Sequence, residues 1–150
     1  MITWNEERII EKDIETVWQL FKDENIQKIM PKVETHRLIE KLENEVGAKH
    51  EQTYREGKRA ETYIVETLSY EETGERKFKQ TSFVLGGVFQ VTYAITLLKH
   101  GSKETKFIYA GENKGVNFVG RAMLKLGSEK SNRKVVEEFM DTVEREALNR

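Results

Sequence analysis

The apolar residues at the start of the chain predict a strand followed by a short helix. The segment Ile2–Ile10 has the pattern of a strand, and Asp13 comes directly before a segment with helical spacing. An aspartate at this position can cap a helix, because its carboxylate accepts hydrogen bonds from the exposed N–H groups of the first turn. The apolar face of the predicted helix consists of Ile14, Val17, Trp18 and Phe21.

The middle of the chain has the period of two that is typical of strands. Before it, a second short helix with Ile26, Ile29 and Met30 ends at Pro31, whose ring disfavours a helical conformation in the residue before it. From there to Asn113 the alternation is interrupted by short segments rich in glycine and polar residues. We therefore predict six strands in an antiparallel meander, with turns at 43–47, 56–58, 71–74, 86–87 and 100–102.

The last third of the chain returns to helical spacing and predicts one long C-terminal helix. Its apolar stripe is interrupted after Leu126, where Gly127, Ser128 and Ser131 either leave room for a ligand or mark a broken turn. Helices on one face of a long sheet must cover its apolar side, and such a layer commonly leaves a gap, so we expect an internal cavity. The stripe consists of Val119, Met123, Leu126, Val135, Phe139, Met140 and Val143.

Aromatic side chains are the best candidates for the lining of this cavity. Four of the five tyrosines fall on strand faces that can converge on one interior, and Tyr54 shares its face with His50 and Gln52. Each phenol offers apolar area and one hydroxyl that needs a partner. The alternative is that tyrosine simply favours strands. We predict that a ligand contacts Tyr54, Tyr63, Phe89, Tyr93, Phe107, Tyr109, Met123 and Phe139.

Two charged residues in the first strand do not fit its alternation. Glu6 and Arg8 share a face with Ile2, Trp4 and Ile10. Inside the protein an unpaired charge would be costly, whereas a pair is tolerable. The two residues therefore either form an inward pair, or lie at a bulge or an exposed strand end.

Composition and charge restrict the class of protein. The 150 residues include 25 basic and 26 acidic side chains, so the chain has no overall basic field and we expect no nucleic-acid partner. The length suits a single domain, residues 1–150, with no linker and no transmembrane segment. There is no cysteine, which excludes disulfides and thiolate sites, and no signal-peptide pattern, so we expect a cytoplasmic protein.

The charges are unevenly distributed along the chain. Residues 1–75 hold 11 basic and 18 acidic side chains, whereas residues 76–150 hold 14 and 8. A basic cluster near the start of the C-terminal helix is either a solvated helix face or a contact for an anionic group or membrane surface. Its members are Lys114, Arg121, Lys125, Lys130, Arg133 and Lys134.

The sequence contains no recognisable catalytic or metal-binding motif. The three histidines, His36, His50 and His100, lack metal-ligand spacing, and the glycines match no phosphate-binding fingerprint. We therefore expect no metal and no cofactor, and we assign no catalytic residue.

Several local motifs carry a resemblance to a known family: Ile10 with residues 13–18, residues 31–33, residues 46–47, Tyr93 with Leu97, and residues 139–146. Together with the order of elements, they resemble the START-like superfamily, also called SRPBCC or helix-grip proteins, and within it the polyketide cyclase/dehydrase type. The chain departs from many relatives in having no proline at the junction of the first strand and helix, and in having Met30 instead of a tryptophan.

The resemblance implies an α+β helix-grip fold and a pocket, but no particular reaction. The fold would be a curved seven-stranded antiparallel sheet around a long C-terminal helix, with two short helices after the first strand. The function implied is binding of a hydrophobic or aromatic small molecule or lipid, in transport or sensing. Alternatives are a cyclase or dehydratase, and a chaperone-activator-like interaction module whose protein partner the sequence does not identify.

Overall fold

The computed structural model describes residues 1–127 and 129–150, and in these it has seven strands and four helices. The predicted order of strand, two helices, six strands and C-terminal helix is confirmed, with one additional short helix before the long C-terminal one. In chain order the elements are β1 (Ile2–Ile10), α1 (Ile14–Gln19), α2 (Ile26–Ile29), β2 (Val33–Glu40), β3 (Lys49–Glu56), β4 (Arg59–Glu72), β5 (Arg76–Leu85), β6 (Phe89–Lys99), β7 (Thr105–Gly115), α3 (Phe118–Leu126) and α4 (Glu129–Leu148).

The strands form one antiparallel sheet in the order β1-β7-β6-β5-β4-β3-β2. Strands β2 to β7 are a meander in which each strand pairs with the next along the chain. The first strand joins the far edge beside β7, with Ile2 opposite Asn113 and Ile10 opposite Thr105. This is the α+β helix-grip architecture that the resemblance implies.

The core lies between one face of the sheet and helices α1, α2 and α4. The predicted cap is present, because the side chain of Asp13 accepts a hydrogen bond from the backbone N–H of Thr16 at 3.0 Å. From α1, Trp18 is buried, and Met140 and Val143 of α4 are also excluded from solvent. Each such side chain contributes about 1.5–3 kcal/mol to folding through burial. From the sheet they meet Ile95, Leu97 and Phe107.

The predicted stripe of the C-terminal helix is only partly correct. The helix is broken at Gly127, whose extended backbone (φ −73°, ψ 155°) ends α3 before α4 begins, and Ser128 lies outside the described residues. The apolar residues before the break therefore lie on α3, whereas Met140 and Val143 lie on α4. Instead of packing in the core, the stripe residues before the break are exposed, and so is the first stripe residue after it: Val119, Met123, Leu126 and Val135.

Glu6 and Arg8 do not form the inward pair that was one of the two expectations. Glu6 is exposed, and Arg8 reaches the C-terminal helix, where its guanidinium lies 2.7 Å from Asp141 and 3.2 Å from Glu144. Arg8 thus finds its partners on α4 and ties the first strand to that helix.

Candidate functional site

A small internal cavity lies between the sheet and the helices α2 and α4. Its volume is about 30 Å³, and most of its wall is apolar. The helices contribute Ile26, Ile29 and Phe139, while the sheet contributes Val65 and Ile95. The rest of the wall is formed by Phe21, Met30, His36, His50, Gln52, Thr67, Lys79, Thr81 and Tyr93.

One end of the cavity is polar because two histidines and an aspartate meet there. His36 on β2 and His50 on β3 stack with their ring centroids 4.5 Å apart and their planes at 15°. Asp23, in the loop between α1 and α2, lies 3.2 Å from Nε2 of His36 and 2.8 Å from Nε2 of His50. Contact with these two imidazoles, first His36 and then His50, holds the pKa of the Asp23 carboxyl well below its usual range.

The histidine pair is connected to the aromatic part of the sheet through Gln52. Nδ1 of His36 lies 2.8 Å from Oε1 of Gln52, and Nε2 of Gln52 donates a hydrogen bond to the hydroxyl of Tyr63 at 2.9 Å. Burial raises the pKa of Tyr63 to about 12. The Tyr63 phenol is therefore neutral at physiological pH.

A lysine completes the polar end. Lys79 on β5 lines both the cavity and a second pocket, of about 130 Å³, that also contains Asp23, His50 and Glu45. Burial lowers the pKa of the Lys79 ammonium, although the carboxylates of Asp23 and Glu45 oppose this shift. The cavity wall therefore includes an amine as well as the two imidazoles.

The structure divides the eight predicted ligand contacts into three groups. Tyr93 and Phe139 line the cavity, and Tyr63 adjoins it through Gln52. Tyr109 lies behind them, with its ring centroid 4.8 Å from that of Phe139 and 5.9 Å from that of Tyr93. Burial raises the pKa of both Tyr93 and Tyr109.

Phe107 belongs to the core and not to the cavity wall. It is fully buried and packs against the rings of Phe21 and Phe139. The side of β7 on which Phe107 lies was predicted correctly from the alternation, because its side chain does point towards the helices. Alternation identifies the face of a strand but not the depth of a side chain within the packed layer, and Phe107 lies where α1 and α4 meet the sheet.

The three remaining predicted contacts line a second space. Tyr54 on β3, Phe89 on β6 and Met123 on α3 border an open groove of about 400 Å³ that also includes Leu85 and Val88. Its charged residues are Glu56, Arg59 and Glu61. Cavity and groove share the inner face of β3 to β6.

A stack of two rings lies between the cavity and the groove. Tyr63 and Phe83 stack with their centroids 4.6 Å apart. Strand pairing places Tyr63 opposite Gln52 and Phe83 opposite Val91. The two rings therefore lie between the residues that line the cavity and those that line the groove. Strand residues of the predicted lining thus share one face of the sheet but border two separate spaces.

Sequence reasoning missed the polar end of the cavity. The alternation in β3 placed His50 and Gln52 on the face of Tyr54, and that was the available signal. No such signal pointed to His36 or Asp23, because His36 lies on another strand and Asp23 lies in a loop. Spacing along the chain shows only ligands within one element, whereas these groups approach each other through strand pairing, in which His36 lies opposite Gln52.

The basic cluster is exposed and separate from the cavity. Its residues lie at the end of β7, on α3 and at the start of α4, and all six are exposed. Within the described part of the chain, no helix is both long and apolar enough to span a membrane.

Comparison with known proteins identifies the fold. No protein-family model and no curated protein matches the chain. Solved structures do match over nearly the full length. A START superfamily protein from Mycobacterium smegmatis has a TM-score of 0.77 at 11% identity, covering 99% of both chains.

Two further solved structures agree with this assignment. Ara h 8.0201 has a TM-score of 0.67 at 15% identity and covers 99% of this chain and 98% of that one. Norcoclaurine synthase from Thalictrum flavum has a TM-score of 0.66 at 14% identity, covering 99% and 94%. The chain therefore has the helix-grip fold of the START-like superfamily.

Proposed function

We propose that this protein binds a small hydrophobic or aromatic molecule between the sheet and its helices. The observation that carries the proposal is the cavity itself, which is apolar along most of its wall and ends in a few polar groups. Ligand sites commonly combine these two features, because apolar surface provides affinity and a few polar atoms fix the orientation. The polar groups here are His36, His50, Gln52 and Lys79.

The polar end defines the kind of molecule that fits. Its apolar part would lie against Ile29, Ile95 and Phe139, and a hydrogen-bonding group would face the imidazoles and the lysine. A structural neighbour supports an aromatic ligand, since norcoclaurine synthase was solved in complex with dopamine and hydroxybenzaldehyde. At 13% identity that similarity concerns the fold, so the argument for this chain rests on its own cavity.

The size of the cavity adds a condition. Sites for drug-sized ligands have volumes of about 300–1,000 Å³, and a space of about 30 Å³ holds only one or two waters. A larger ligand must therefore displace part of the wall. The short helix α2 with Met30 is suited to this, because four helical residues are held mainly by packing and not by helix propensity. Movement of the Tyr63–Phe83 stack would join the cavity to the groove.

A pair of substitutions on β4 tests the proposal. Val65 is buried in the cavity wall, whereas its neighbour Ile64 is on the opposite face of the strand and 42% exposed. We expect Val65→Phe to fill the cavity and to abolish the thermal shift caused by any ligand from a panel of aromatic molecules and lipids. Ile64→Phe, the matched control, should keep it.

Two results would contradict the proposal. One is a panel in which no compound raises the melting temperature of the wild-type protein. The other is a thermal shift that Val65→Phe leaves unchanged, because a ligand with that behaviour binds elsewhere.

A further inference from the structure

The meeting of Asp23, His36 and His50 goes beyond small-molecule binding. The candidate ligand atoms of these residues, one from each, all lie within 4.8 Å of one another. They come from a loop and two paired strands. The two imidazoles are almost fully buried, at 8% and 5% side-chain exposure, while Asp23 is 46% exposed. Such a set combines two buried donors with one partly exposed donor.

The orientation of Gln52 determines which nitrogen of His36 carries a proton. Gln52 donates through Nε2 to Tyr63 and therefore presents Oε1, an acceptor, to Nδ1 of His36. The neutral His36 ring must then carry its proton on Nδ1, which leaves a lone pair on Nε2. That lone pair faces the Asp23 carboxylate at 3.2 Å. Two acceptors at this distance repel each other unless a cation lies between them, and a metal ion can fill that place.

The same contacts form the outer support that a metal-bound histidine needs. A ligating histidine usually donates its second ring N–H to an oxygen, which fixes the tautomer and the ring orientation. Gln52 provides this oxygen for His36, and the hydroxyl of Tyr63 holds Gln52 in place. His36 is thus positioned with Nε2 directed towards Asp23 and free to coordinate.

We propose that Asp23, His36 and His50 bind one divalent transition-metal ion of the Zn²⁺ type. Two imidazoles and a carboxylate suit Zn²⁺ and its neighbours in the first transition series, whereas Mg²⁺ and Ca²⁺ prefer all-oxygen sites. Three protein ligands leave one position open, which is the pattern of a zinc site that also binds water or a substrate. His36 and His50 line the cavity, so the open position is accessible to its contents.

Binding requires the two imidazoles to move and has an access route. Zn–N distances are about 2.0–2.1 Å, so tetrahedral donors lie about 3.3 Å apart, whereas the present donor atoms lie within 4.8 Å of one another. Asp23 already lies 3.2 Å and 2.8 Å from the two Nε2 atoms, so the contraction falls on the stacked rings, which must turn towards each other. The pocket of about 130 Å³ that contains Asp23 and His50 connects the site with solvent. Lys79 opposes a cation there and Glu45 favours one, and both line the same pocket.

Titration of chelator-treated protein with Zn²⁺ tests the proposal. By isothermal calorimetry we expect one ion per chain. Asp23→Asn, His36→Gln and His50→Gln should each weaken binding at least tenfold, since even the loss of an outer-shell partner costs about 10–100-fold. His100→Asn is the matched control, because His100 is exposed in a turn outside the cluster, and its affinity should equal that of the wild type.

A second measurement keeps the test independent of whether the variants fold. In wild-type protein, Zn²⁺ should shift the imidazole NMR signals of two histidines and leave the third unchanged. Absence of binding would overturn the proposal. Binding that survives all three ligand substitutions, or that shifts only His100, would overturn it as well.

Discussion

Tyr63 shows how one residue joins the polar and aromatic parts of the inner sheet face. Its hydroxyl accepts a hydrogen bond from Gln52, and its ring stacks on Phe83. Burial makes ionisation of the phenol unfavourable, because the phenolate would lose its hydration. The side chain therefore acts as a neutral support for the Gln52–His36 contact.

The buried phenols predict a loss of stability at alkaline pH. The pKa values of Tyr63 and Tyr70 are raised to about 12 in the folded protein, against about 10 in an unfolded chain. Unfolded protein releases these protons first, so the free energy of unfolding should decrease as pH rises from about 10 towards 12. Urea denaturation at several alkaline pH values measures this. Tyr63→Phe should reduce the slope, and an unchanged slope would contradict the assignment.

At the scale of elements, α3 is held to the sheet by a close backbone approach and not by a large apolar face. A Cβ on Gly120 would lie 2.1 Å from the backbone oxygen of Val88, and one on Gly115 would lie 2.2 Å from the backbone nitrogen of Arg121. Both contacts are shorter than any real side chain permits. The glycines thus allow α3 to pack closely against the end of β7, while Phe118 and Leu126 stay exposed.

Gly120→Ala should therefore destabilise the protein by about 1–3 kcal/mol, the usual cost of overpacking. The clash is with backbone, which cannot rotate away. Gly127→Ala is the matched control: its Cβ would meet no atom closer than 3.4 Å, and its φ of −73° suits any residue. Chemical denaturation of both variants measures the difference. Equal stabilities would contradict the packing of α3 described above.

At the scale of the molecule, the sheet and its helices could be predicted from the sequence, because period two and helical spacing report local structure directly. The inward face of β6 and β7 followed from alternation, as the buried Leu97 and Phe107 show. The break at Gly127 was visible only as a gap in the apolar stripe. Whether such a gap bends, ends or merely exposes a helix depends on tertiary packing, which periodicity does not contain.

The candidate site was less predictable than the fold. The aromatic residues lie on the predicted strand faces, but they border two spaces, a cavity and a groove. Residues on one face of a sheet can lie far apart along the strands, and alternation does not report that distance. Tyr93 and Tyr54 illustrate this, since they line different spaces. The Asp23–His36–His50 cluster depends on the pairing of β2 with β3 and on a loop, and neither can be read from spacing.

The central claim is that the space between the sheet and the helices binds a small hydrophobic or aromatic molecule. Native mass spectrometry of freshly purified protein tests it most directly. The account predicts a population heavier than the chain by the mass of one small organic molecule, which solvent extraction removes. It predicts that this population is present in Ile64→Phe and absent in Val65→Phe. A wild-type protein that carries no such molecule, and takes up none from the panel of aromatic compounds and lipids, would contradict it.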